Sequence, residues 1–545
     1  MTFKKTIIAA LLVLLFFSCG RKKDVNEKRT VFRYNEAAGI TSLDPAFARD
    51  QANIWAVNQL FNGLVQLDEN LLVQPCIAKS WSILDSGKTY SFVLRNDVFF
   101  HDAPCFPNGK GRKVIATDFT YSLQRLIDPA IASPGAWVLN VVNKKHSFDA
   151  PTDSTFIIHL TTSFSPFLGM MGMQYCSVVP REAIHYYKNE FSQHPIGTGP
   201  FYFKYWKEGV KLVLLKNQNY FEFENGTRLP YIDAVNVSFI IDKLTSYLEF
   251  IKGNLDMISG IDAAYKDELL LRDGTLKPKY RDRLRIASRP YLNTEYLGFF
   301  MDSTSAMMRD NPLRKKKVRQ AINYAFDRKK MILYIRNNIG TPGLNGMVPP
   351  GFKSFSDQPT QGYNYNPAKA RQLLKEAGYP EGQGMPEIAL STNNAYLDIC
   401  KYLQQQLSEV GIRLKLDVNP PATHREMVAN AKLPFFRGSW IADYSDPENY
   451  LSLFYSKNFT PQGPNYTHYK NIEYDKLYEK ALATYDDSVR NSCYRQMDQM
   501  IMDDAAVLVF YYDQVTVFVR NWVENFTANP INRLDLKKVK KSKSA

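Results

Sequence analysis

The stretch "DICKYLQQQLSEVGIRLKLDV", residues 398–418, decides the class of fold. Its first part repeats apolar residues at the spacing of one helical face, namely Ile399, Leu403, Leu407 and Val410. After Gly411 the apolar positions alternate instead, at Ile412, Leu414 and Leu416. The first period is that of an amphipathic helix, and the second is that of a half-buried strand. A helix joined to a strand by a tight glycine turn is a unit of the α/β folds, which the stretch therefore predicts.

The segment before it, "YNPAKARQLLKEAGYP" at residues 365–380, predicts a second helix of this α/β region. Asn366 can cap its start, Pro367 suits the first helical position, and Gly378 ends it. The first half of the chain has a different pattern. Alternating apolar residues mark two strands there, at Tyr90, Phe92 and Leu94 and at Val235, Val237 and Phe239. The chain therefore combines a strand-rich first half with an α/β second half.

The length of the chain limits its organisation. At 545 residues it exceeds what one hydrophobic core usually supports, so we expect two or three subdomains. No repeat or long linker interrupts residues 30–535, which favours one compact, multi-lobed body. Aromatic residues are abundant, with 34 Phe, 33 Tyr and 6 Trp, and this suits a ring-lined cleft as well as an ordinary core.

The first twenty residues, "MTFKKTIIAALLVLLFFSCG", carry two lysines followed by an apolar run from Ile7 to Phe17. A membrane-spanning helix needs about 20 apolar residues, so this shorter run predicts a secretion signal instead. Cys19 follows the run and resembles the cysteine of bacterial lipoprotein signals. That resemblance implies that residues 1–18 are cleaved and that Cys19 becomes the lipidated first residue. The alternative is an ordinary signal with a chance cysteine.

The formal net charge is +14, and part of the excess lies at the C-terminus. The last eleven residues, "DLKKVKKSKSA", contain five lysines. An exported protein rarely meets nucleic acid, so we expect no nucleic-acid partner. Residues 536–545 instead predict a disordered basic tail, which either favours an anionic membrane surface or only adds solubility.

The cysteines give little information about the fold. Beyond Cys19 the chain has five, namely Cys76, Cys105, Cys176, Cys400 and Cys493. No two form a CxxC pair, so neither a zinc module nor a redox motif is indicated. The odd number leaves at least one thiol unpaired, and one or two disulfides stay open.

The sequence carries no local catalytic, metal or nucleotide motif. Its seven histidines include no HxH or HExxH spacing, and neither GxxxxGK[ST] nor GxSxG occurs. In "HPIGTGPFYF", residues 194–203, Gly197 and Gly199 are followed by a proline and an aromatic strand, which predicts a turn rather than a phosphate loop. We therefore expect no metal and no cofactor. A catalytic triad assembled from distant residues stays open.

The stretch "GSWIADYSDPENYL", residues 438–451, sets acids among aromatic rings. A carboxylate enclosed by rings loses several kcal/mol of hydration, which only a cation with good hydrogen bonds can offset. Asp443, Asp446 and Glu448, close to Trp440, Tyr444 and Tyr450, are therefore candidate partners of a positively charged group. The alternative is that Asp443 caps a turn or pairs with an internal arginine.

Seven stretches follow one another in an order shared with a known family. They are "LDPAFARDQANIWAVNQLFNGLVQLD", "AKSWSILDSGKTYSFVLRNDVFFHD", "ATDFTYSLQRLIDP", "HPIGTGPFYF", "VRQAINYAFDRKKMI", "YNPAKARQLLKEAGYP" and "GSWIADYSDPENYL". Together they resemble the large extracytoplasmic solute-binding proteins of ABC importers, which include the oligopeptide- and dipeptide-binding proteins. The resemblance implies an α/β, two-lobed periplasmic-binding-protein-like fold with a hinge and an additional inserted subdomain. It also implies a ligand enclosed between the lobes and no catalysis.

The resemblance divides the chain into a signal peptide, a tether, two lobes, an insertion and a tail. The expected parts are a signal peptide at 1–18, a lipidated tether at 19–30, lobe I at 31–57, 195–288 and 506–535, an inserted subdomain at 58–194, lobe II at 289–505 and a basic tail at 536–545. The backbone is therefore expected to cross between the parts several times, because lobe I is built from three separate segments.

The resemblance also assigns ligand-binding residues. In oligopeptide-binding members, an aspartate three residues after a tryptophan takes the amino terminus of the ligand, and Trp440 and Asp443 keep this spacing. Arg437 stands where those proteins place an arginine for a ligand carboxylate, with an internal ion pair as the alternative.

Backbone contacts are implied on both sides of the ligand. Ser439 and Ile441 would offer backbone groups to an extended peptide, as in strand addition. Residues Arg49 to Gln51 would contribute backbone groups from the opposite lobe. The carboxylate-binding arginine of dipeptide binders has no counterpart in "LSTNNAYLDIC", which argues against strict dipeptide specificity.

The sequence thus predicts a monomeric, lipid-anchored protein on the periplasmic side of a bacterial membrane. It would capture peptides, chiefly oligopeptides, and deliver them to the permease subunits of an ABC transporter. Non-peptide ligands of the family, such as chelated nickel or an oligosaccharide, stay open. A secreted hydrolase with a dispersed active site and a surface adhesion or signalling lipoprotein are the remaining alternatives.

Overall fold

The computed structural model describes residues 29–260, 263–352 and 358–542. The predicted signal peptide, Cys19 and nearly all of the predicted tether lie outside the described residues. In the described part of the chain, no helix is both long and apolar enough to cross a bilayer. All five cysteines from Cys76 to Cys493 are free thiols.

Helices are found along the whole described chain. They are α1 (Gln51–Leu60), α2 (Ala116–Ile127), α3 (Phe167–Met170), α4 (Arg181–Tyr187), α5 (Lys243–Lys252), α6 (Ala263–Leu269), α7 (Pro278–Arg281), α8 (Lys316–Tyr324), α9 (Arg328–Ile335), α10 (Pro367–Glu376), α11 (Leu397–Ser408), α12 (Pro421–Ala429), α13 (Glu448–Leu451), α14 (Ile472–Ala483) and α15 (Asp487–Asp503). The longer helices of the second half cover the faces of the largest sheet.

Strands dominate the first half. They are β1 (Val31–Asn35), β2 (Val65–Leu67), β3 (Val73–Pro75), β4 (Ala78–Leu84), β5 (Thr89–Leu94), β6 (Phe148–Thr152), β7 (Thr155–His159), β8 (Phe201–Lys207), β9 (Lys211–Lys216), β10 (Phe223–Glu224), β11 (Thr227–Arg228), β12 (Ala234–Ser238), β13 (Met257–Ser259), β14 (Leu284–Phe299), β15 (Thr341–Pro342), β16 (Ile388–Thr392), β17 (Leu414–Val418), β18 (Phe435–Ile441), β19 (Val507–Arg520), β20 (Val523–Glu524) and β21 (Lys540–Lys541). Most of them assemble into three sheets.

Two of the three larger sheets lie within single parts of the predicted division, whereas the largest sheet extends from lobe I into lobe II. Lobe I contains the order β1-β12-β9-β8, and the inserted subdomain contains β4-β5-β7-β6. The largest sheet has the order β13-β19-β14-β18-β16-β17, with β15 paired to β19. Within it, β16 pairs in parallel with β17 and with β18, as in an α/β region, whereas β14 pairs antiparallel with both β18 and β19.

The predicted α/β unit is confirmed. Asn366 caps α10 by accepting a hydrogen bond from the backbone N–H of Lys369, and Pro367 is its first residue. The striped residues of α11 are buried against the sheet, and Ile412 and Leu414 are buried in and before β17. Gly378 and Gly411 both adopt a positive φ, which explains the glycines that end these helices.

Two long strands connect the lobes. Residues of the first half of β14 and of the last part of β19 pack in the lobe I core, for example Ala287 and Val517. The remaining parts pack in lobe II, for example Phe299 and Phe510. The pairing of the two strands is irregular between Pro290 and Thr294, at the passage from one core to the other. This irregular region is where a hinge motion can be absorbed.

The predicted boundary between residues 505 and 506 needs correction. Val507–Tyr512, the first part of β19, contribute to the lobe II cores rather than to lobe I. The chain returns to the lobe I core at Val515. Apolar strands carry no local mark of which lobe they fill, so sequence could not place the crossing.

The predicted disordered C-terminal tail is also wrong for residues 536–542. Leu536 and Val539 are fully buried, and β21 pairs with β20. Two tail lysines form ion pairs with acids of lobe I, Lys537 with Glu222 at 2.7 Å and Lys541 with Asp256 at 2.9 Å. The lysine-rich composition predicted disorder because it gave no indication that Leu536 and Val539 are buried or that the lysines have specific acidic partners. Residues 543–545 lie outside the described residues.

Docking of this C-terminal segment predicts a stability effect. We expect Val539→Ala to lower the free energy of unfolding by about 2 kcal/mol, because it removes two fully buried methyl groups and leaves a cavity. Urea unfolding measures the change. The matched control is Lys538→Ala, since its ion pair with Glu224 is exposed and should contribute less than about 1 kcal/mol. Equal stability of wild type and the Val539 variant would mean that the segment is detached in solution.

Candidate functional site

Strand β18 offers a partly free edge. It pairs with β14 along its whole length, from Phe435 to Ile441. On its other side it pairs with β16 at only one position, where Ser391 meets Phe436. The backbone C=O of the next residue, Arg437, lies 2.8 Å from Nε2 of His424. Beyond that contact, no described strand pairs with this edge.

The free edge belongs to two of the predicted binding residues. Backbone groups of alternate residues point to the same side of a strand. Because Arg437 directs its C=O away from β14, the backbone groups of Ser439 and Ile441 face the free edge as well. Ala442 donates its N–H back to Leu292 and so belongs to the opposite set. The edge can therefore accept an extended chain through Ser439 and Ile441.

Asn449 holds the two central residues of the motif together. Its side-chain oxygen accepts hydrogen bonds from Nε1 of Trp440 at 2.8 Å and from the backbone N–H of Asp443 at 3.2 Å. Its amide group also hydrogen-bonds the Asp443 carboxylate. Asn449 is buried at the start of α13. Sequence analysis missed this residue, although it lies within the same quoted stretch.

Asp443 is an exposed carboxylate in crowded surroundings. Its side chain is open to solvent, so the enclosure expected from the sequence is incomplete. The protein packed around it nevertheless raises the pKa of its carboxyl group above the usual value, through desolvation, and the hydrogen bond from Asn449 opposes this only in part. No lysine, arginine or histidine of the described chain forms an ion pair with Asp443. The predicted alternative of an internal arginine partner is therefore not realised.

Three tyrosines surround this carboxylate. Burial raises the phenol pKa of Tyr175, Tyr450 and Tyr466, and the charge of Asp443 raises each of them further. Tyr466 also meets the Trp440 ring edge to face, with centroids 6.5 Å apart. Aromatic residues therefore lie near this acid at the end of β18, and its role as a ligand anchor stays a prediction.

Tyr175 connects the two lobes at this point. It belongs to the inserted subdomain, and its phenol pKa of about 12 responds to Asp443 of lobe II as well as to Arg49 and Asp50 of lobe I. Asp443 and Asp50 raise the pKa, whereas Arg49 lowers it. Tyr175 is therefore within electrostatic reach of predicted residues from both lobes.

The predicted lobe I contacts are exposed to solvent. Arg49 and Gln51 both have exposed side chains. The N–H of Arg49 donates to the C=O of Phe47, and the side chain of Gln51 donates to the C=O of Asn532 at 3.4 Å. The N–H of Arg49 is therefore already used within the protein. Their predicted ligand contacts remain predictions.

Arg437 has an internal partner, which was the alternative left open by the sequence. Its guanidinium pairs with the Glu295 carboxylate, and both side chains are nearly buried, at 12% and 3% exposure. The Arg437 guanidinium also lies over the Tyr396 ring, 3.3 Å from the centroid. Tyr396 donates to the second oxygen of Glu295 at 3.1 Å. A ligand carboxylate would thus have to share Arg437 with Glu295.

Behind Asp443, Glu448 anchors two aromatic residues. Its carboxylate accepts hydrogen bonds from the hydroxyl groups of Tyr444 and Tyr478. Burial raises the pKa of Glu448 to about 7, although both tyrosines lower it. Tyr444 also meets Trp137 of the inserted subdomain, with ring centroids 6.2 Å apart. Glu448 therefore fixes a contact between lobe II and the insertion.

This buried carboxyl group predicts a pH dependence of stability. A folded pKa of about 7, against the ordinary 4.5, means that the folded chain holds the proton more tightly than the unfolded chain. Its stabilising contribution is complete below about pH 4.5 and is lost as the pH rises through 7. We expect wild type to lose roughly 2 to 3 kcal/mol relative to Glu448→Gln over this window, measured by urea unfolding. A constant difference between the two proteins from pH 4.5 to 7 would contradict the raised pKa.

A serine and a histidine adjoin the cleft strand, which bears on the hydrolase alternative. Oγ of Ser391 lies 3.0 Å from Nδ1 of His424, whose Nε2 bonds the C=O of Arg437. Ser391 and His424 are buried, at 2% and 3% exposure. A catalytic serine must reach its substrate, and its histidine is oriented by a carboxylate rather than by a strand carbonyl. This pair therefore stabilises the end of the strand and has no catalytic geometry.

Comparison with known proteins gives one consistent result. The sequence model described as bacterial extracellular solute-binding proteins, family 5 middle, matches residues 73–462. The chain is 27% identical over 536 residues to heme-binding protein A of Haemophilus influenzae, covering 93% of each chain. It is 26% identical over 512 residues to the probable D,D-dipeptide-binding periplasmic protein DdpA of Escherichia coli, covering 91% of each chain.

A solved structure agrees with these matches. It is the periplasmic binding protein DppA of Helicobacter pylori in complex with the peptide STSA, associated with an ABC transporter. The TM-score is 0.71 and the identity is 26%, with 94% of this chain and 99% of that chain covered. The similarity therefore extends over both lobes and the insertion.

Proposed function

The chain belongs to the bacterial extracellular solute-binding proteins of family 5, and from this premise we propose that it captures peptides with a free amino terminus, chiefly oligopeptides. It encloses the peptide between its lobes and releases it unchanged to the permease of an ABC transporter. No chemical step is part of this function.

One observation carries the assignment of a peptide. Asp443 presents a carboxylate at the end of β18 with which no lysine, arginine or histidine of the described residues pairs, and the free edge of β18 carries the backbone groups of Ser439 and Ile441. An α-ammonium supplies both the missing positive charge and the hydrogen-bond donors for such a carboxylate. The backbone of the same ligand can continue along the strand edge. A peptide satisfies both requirements within one molecule.

Closure of the lobes explains how binding is signalled. Tyr175 of the insertion is within reach of the charges of both Asp443 on lobe II and Arg49 on lobe I, which supports a ligand site between them. A ligand that contacts both sides favours the closed form by the difference between its affinities for the two forms. The irregular pairing of β14 with β19 between Pro290 and Thr294 absorbs the rotation.

The membrane anchor rests on the sequence. A short apolar run before Cys19 and the cationic residues that precede it predict export and lipidation at the membrane. The protein would then present the cleft on the periplasmic side, next to its permease subunits. Labelling of cells with a fatty-acid analogue, followed by comparison of wild type with Cys19→Ala, tests the anchor independently of ligand binding.

Native mass spectrometry of the purified protein tests the function. We expect retained masses that match peptides, or binding after addition of a library of tripeptides to pentapeptides, and the recovered peptides should be intact. A retained oligosaccharide or nickel chelate would contradict the peptide assignment, and cleaved peptides would favour a hydrolase. Since one relative is named as heme-binding, addition of hemin is a necessary comparison, and a Soret band at one equivalent would also contradict the assignment.

A further inference from the structure

Three metal-ligating side chains meet on the inserted subdomain, and none of them belongs to the cleft. Nε2 of His146 and Nε2 of His159 lie 3.0 and 2.9 Å from the same carboxylate oxygen, Oδ2 of Asp149. The two imidazole rings are stacked, with centroids 4.2 Å apart. All three ligand atoms lie within 4.8 Å of one another. Ligand atoms around one tetrahedral zinc ion lie about 3.3 Å apart, given Zn–N distances of about 2.0 Å.

The hydrogen bonds behind His159 determine which ring nitrogen faces Asp149. The hydroxyl of Thr89 lies 2.6 Å from a carboxylate oxygen of Asp85, which can only accept. Oγ1 of Thr89 also lies 3.4 Å from Nδ1 of His159. Because the Thr89 hydrogen is directed to Asp85, Nδ1 of His159 is the donor in this second contact. Nε2 of His159, which faces Asp149, is then the ring nitrogen whose lone pair a metal ion can use.

Two electron pairs that face each other at 2.9 Å repel unless a positive charge lies between them. A metal ion supplies that charge and uses both lone pairs. Outer hydrogen bonds of this kind, from a carboxylate through a second group to the far nitrogen, fix the tautomer and orientation of histidines in metal sites. Thr89, held by Asp85, thus orients the His159 ring in the way that outer hydrogen bonds orient the histidines of metal sites.

The backbone holds the three ligands in place. Asp149 lies on β6 and His159 ends β7, and the N–H of His159 donates to the C=O of Ser147 at 3.0 Å. The side chain of Asn143 accepts the backbone N–H groups of Lys145 and His146, which shapes the loop before β6. The ligands therefore need no rearrangement of the chain. Sequence spacing could not reveal them, because the pairing of two strands brings His146 and His159 together.

We propose that His146, Asp149 and His159 bind one divalent transition-metal ion, with Zn²⁺ as the best match. Imidazole suits Zn²⁺, Ni²⁺ and Cu²⁺, and two histidines with one carboxylate leave a tetrahedral zinc ion one position for water. The His146 side chain is 60% exposed, so the site is reachable from solvent. The adjacent Lys144 and Lys145 are exposed ammonium groups that lower the affinity for a cation. The site is separate from the peptide cleft, and its ion would tie the loop at residues 143–147 to the end of β7.

Calorimetric titration of the tag-free protein with ZnCl₂ tests the proposal. We expect one equivalent to bind, and His159→Ala to weaken binding at least about 10-fold. Thr89→Val, which leaves all three ligands in place, should weaken it about 10- to 100-fold, as loss of an outer hydrogen bond does in other metal sites. Co²⁺ offers a second readout, because its visible absorption should change with wild type and not with His159→Ala.

The control variant is His185→Ala, since His185 is exposed and lies outside the cluster. It should bind Zn²⁺ as wild type does. Circular dichroism and the metal-free thermal midpoint establish that each variant is folded, so that lost binding reports on the site. Absence of binding to wild type, or binding that survives His159→Ala, would overturn the proposal.

Discussion

An Asp443→Asn variant is expected to bind peptides at least about 30-fold more weakly than wild type. The substitution keeps the size of the side chain and removes its charge, so the ligand's ammonium loses its counter-ion in the cleft. Truncating one partner of a desolvated, hydrogen-bonded charge pair costs about 2 to 5 kcal/mol. The raised pKa of Asp443 shows that its surroundings already disfavour an unpaired carboxylate. Calorimetry with the tightest-binding library peptide measures the loss.

A control variant must show that removing another carboxylate charge from lobe II does not by itself weaken peptide binding. Asp398→Asn serves, because Asp398 is an exposed carboxylate in the first turn of α11. The affinity of the Asp398→Asn variant for the same peptide should equal that of wild type. The thermal midpoints of both variants should stay near the wild-type value, because Asp443 forms no ion pair within the part of the chain that the structure describes. A loss of less than about threefold in Asp443→Asn would remove Asp443 from the binding site.

An Arg437→Ala variant is expected to lose about 3 to 5 kcal/mol of folding stability. Arg437 pairs with Glu295, which is 2% exposed, and its removal leaves a buried carboxylate without a counter-ion. The stacking of the guanidinium on Tyr396 is lost as well. Urea unfolding monitored by tryptophan fluorescence measures this change directly, without any ligand.

Two further variants separate the buried charge from a general effect of removing arginine. Arg425→Ala removes an exposed arginine of α12 and should change stability by less than about 0.5 kcal/mol. Adding Glu295→Gln to Arg437→Ala should recover part of the loss, because the second substitution removes the unpaired charge. A loss below about 1 kcal/mol in Arg437→Ala would mean that the ion pair is open to water.

Much of the fold was predictable because local periodicity and tertiary structure agree. The stripe of α11 is buried where the sequence predicts, and of the alternating residues Ile412 and Leu414 are buried whereas Leu416 is partly buried. The N-cap at Asn366 was predictable for the same reason, since its hydrogen bond joins residues three positions apart. Residues 507–512 could not be assigned to a lobe from sequence, because an apolar strand fits either core.

The site was predictable only as far as its local spacing extends. Trp440 and Asp443 were found together because they lie on one strand end, but the partner of Arg437 is 142 residues away in sequence. Asn449 was overlooked because its role depends on a turn that brings it back to both residues. The docked C-terminal lysines were misread for a similar reason. Their partners, Glu222 and Asp256, lie far from them in the chain.

The most direct test of the central claim compares one peptide with its N-acetylated form. Acetylation removes the positive charge and leaves the rest of the ligand unchanged. On wild type we expect the acetylated peptide to bind at least about 30-fold more weakly, whereas Asp443→Asn should bind the two forms with similar affinities. Equal affinity of wild type for both forms, measured by calorimetry, would contradict the assignment of Asp443 as the anchor for the amino terminus of the ligand.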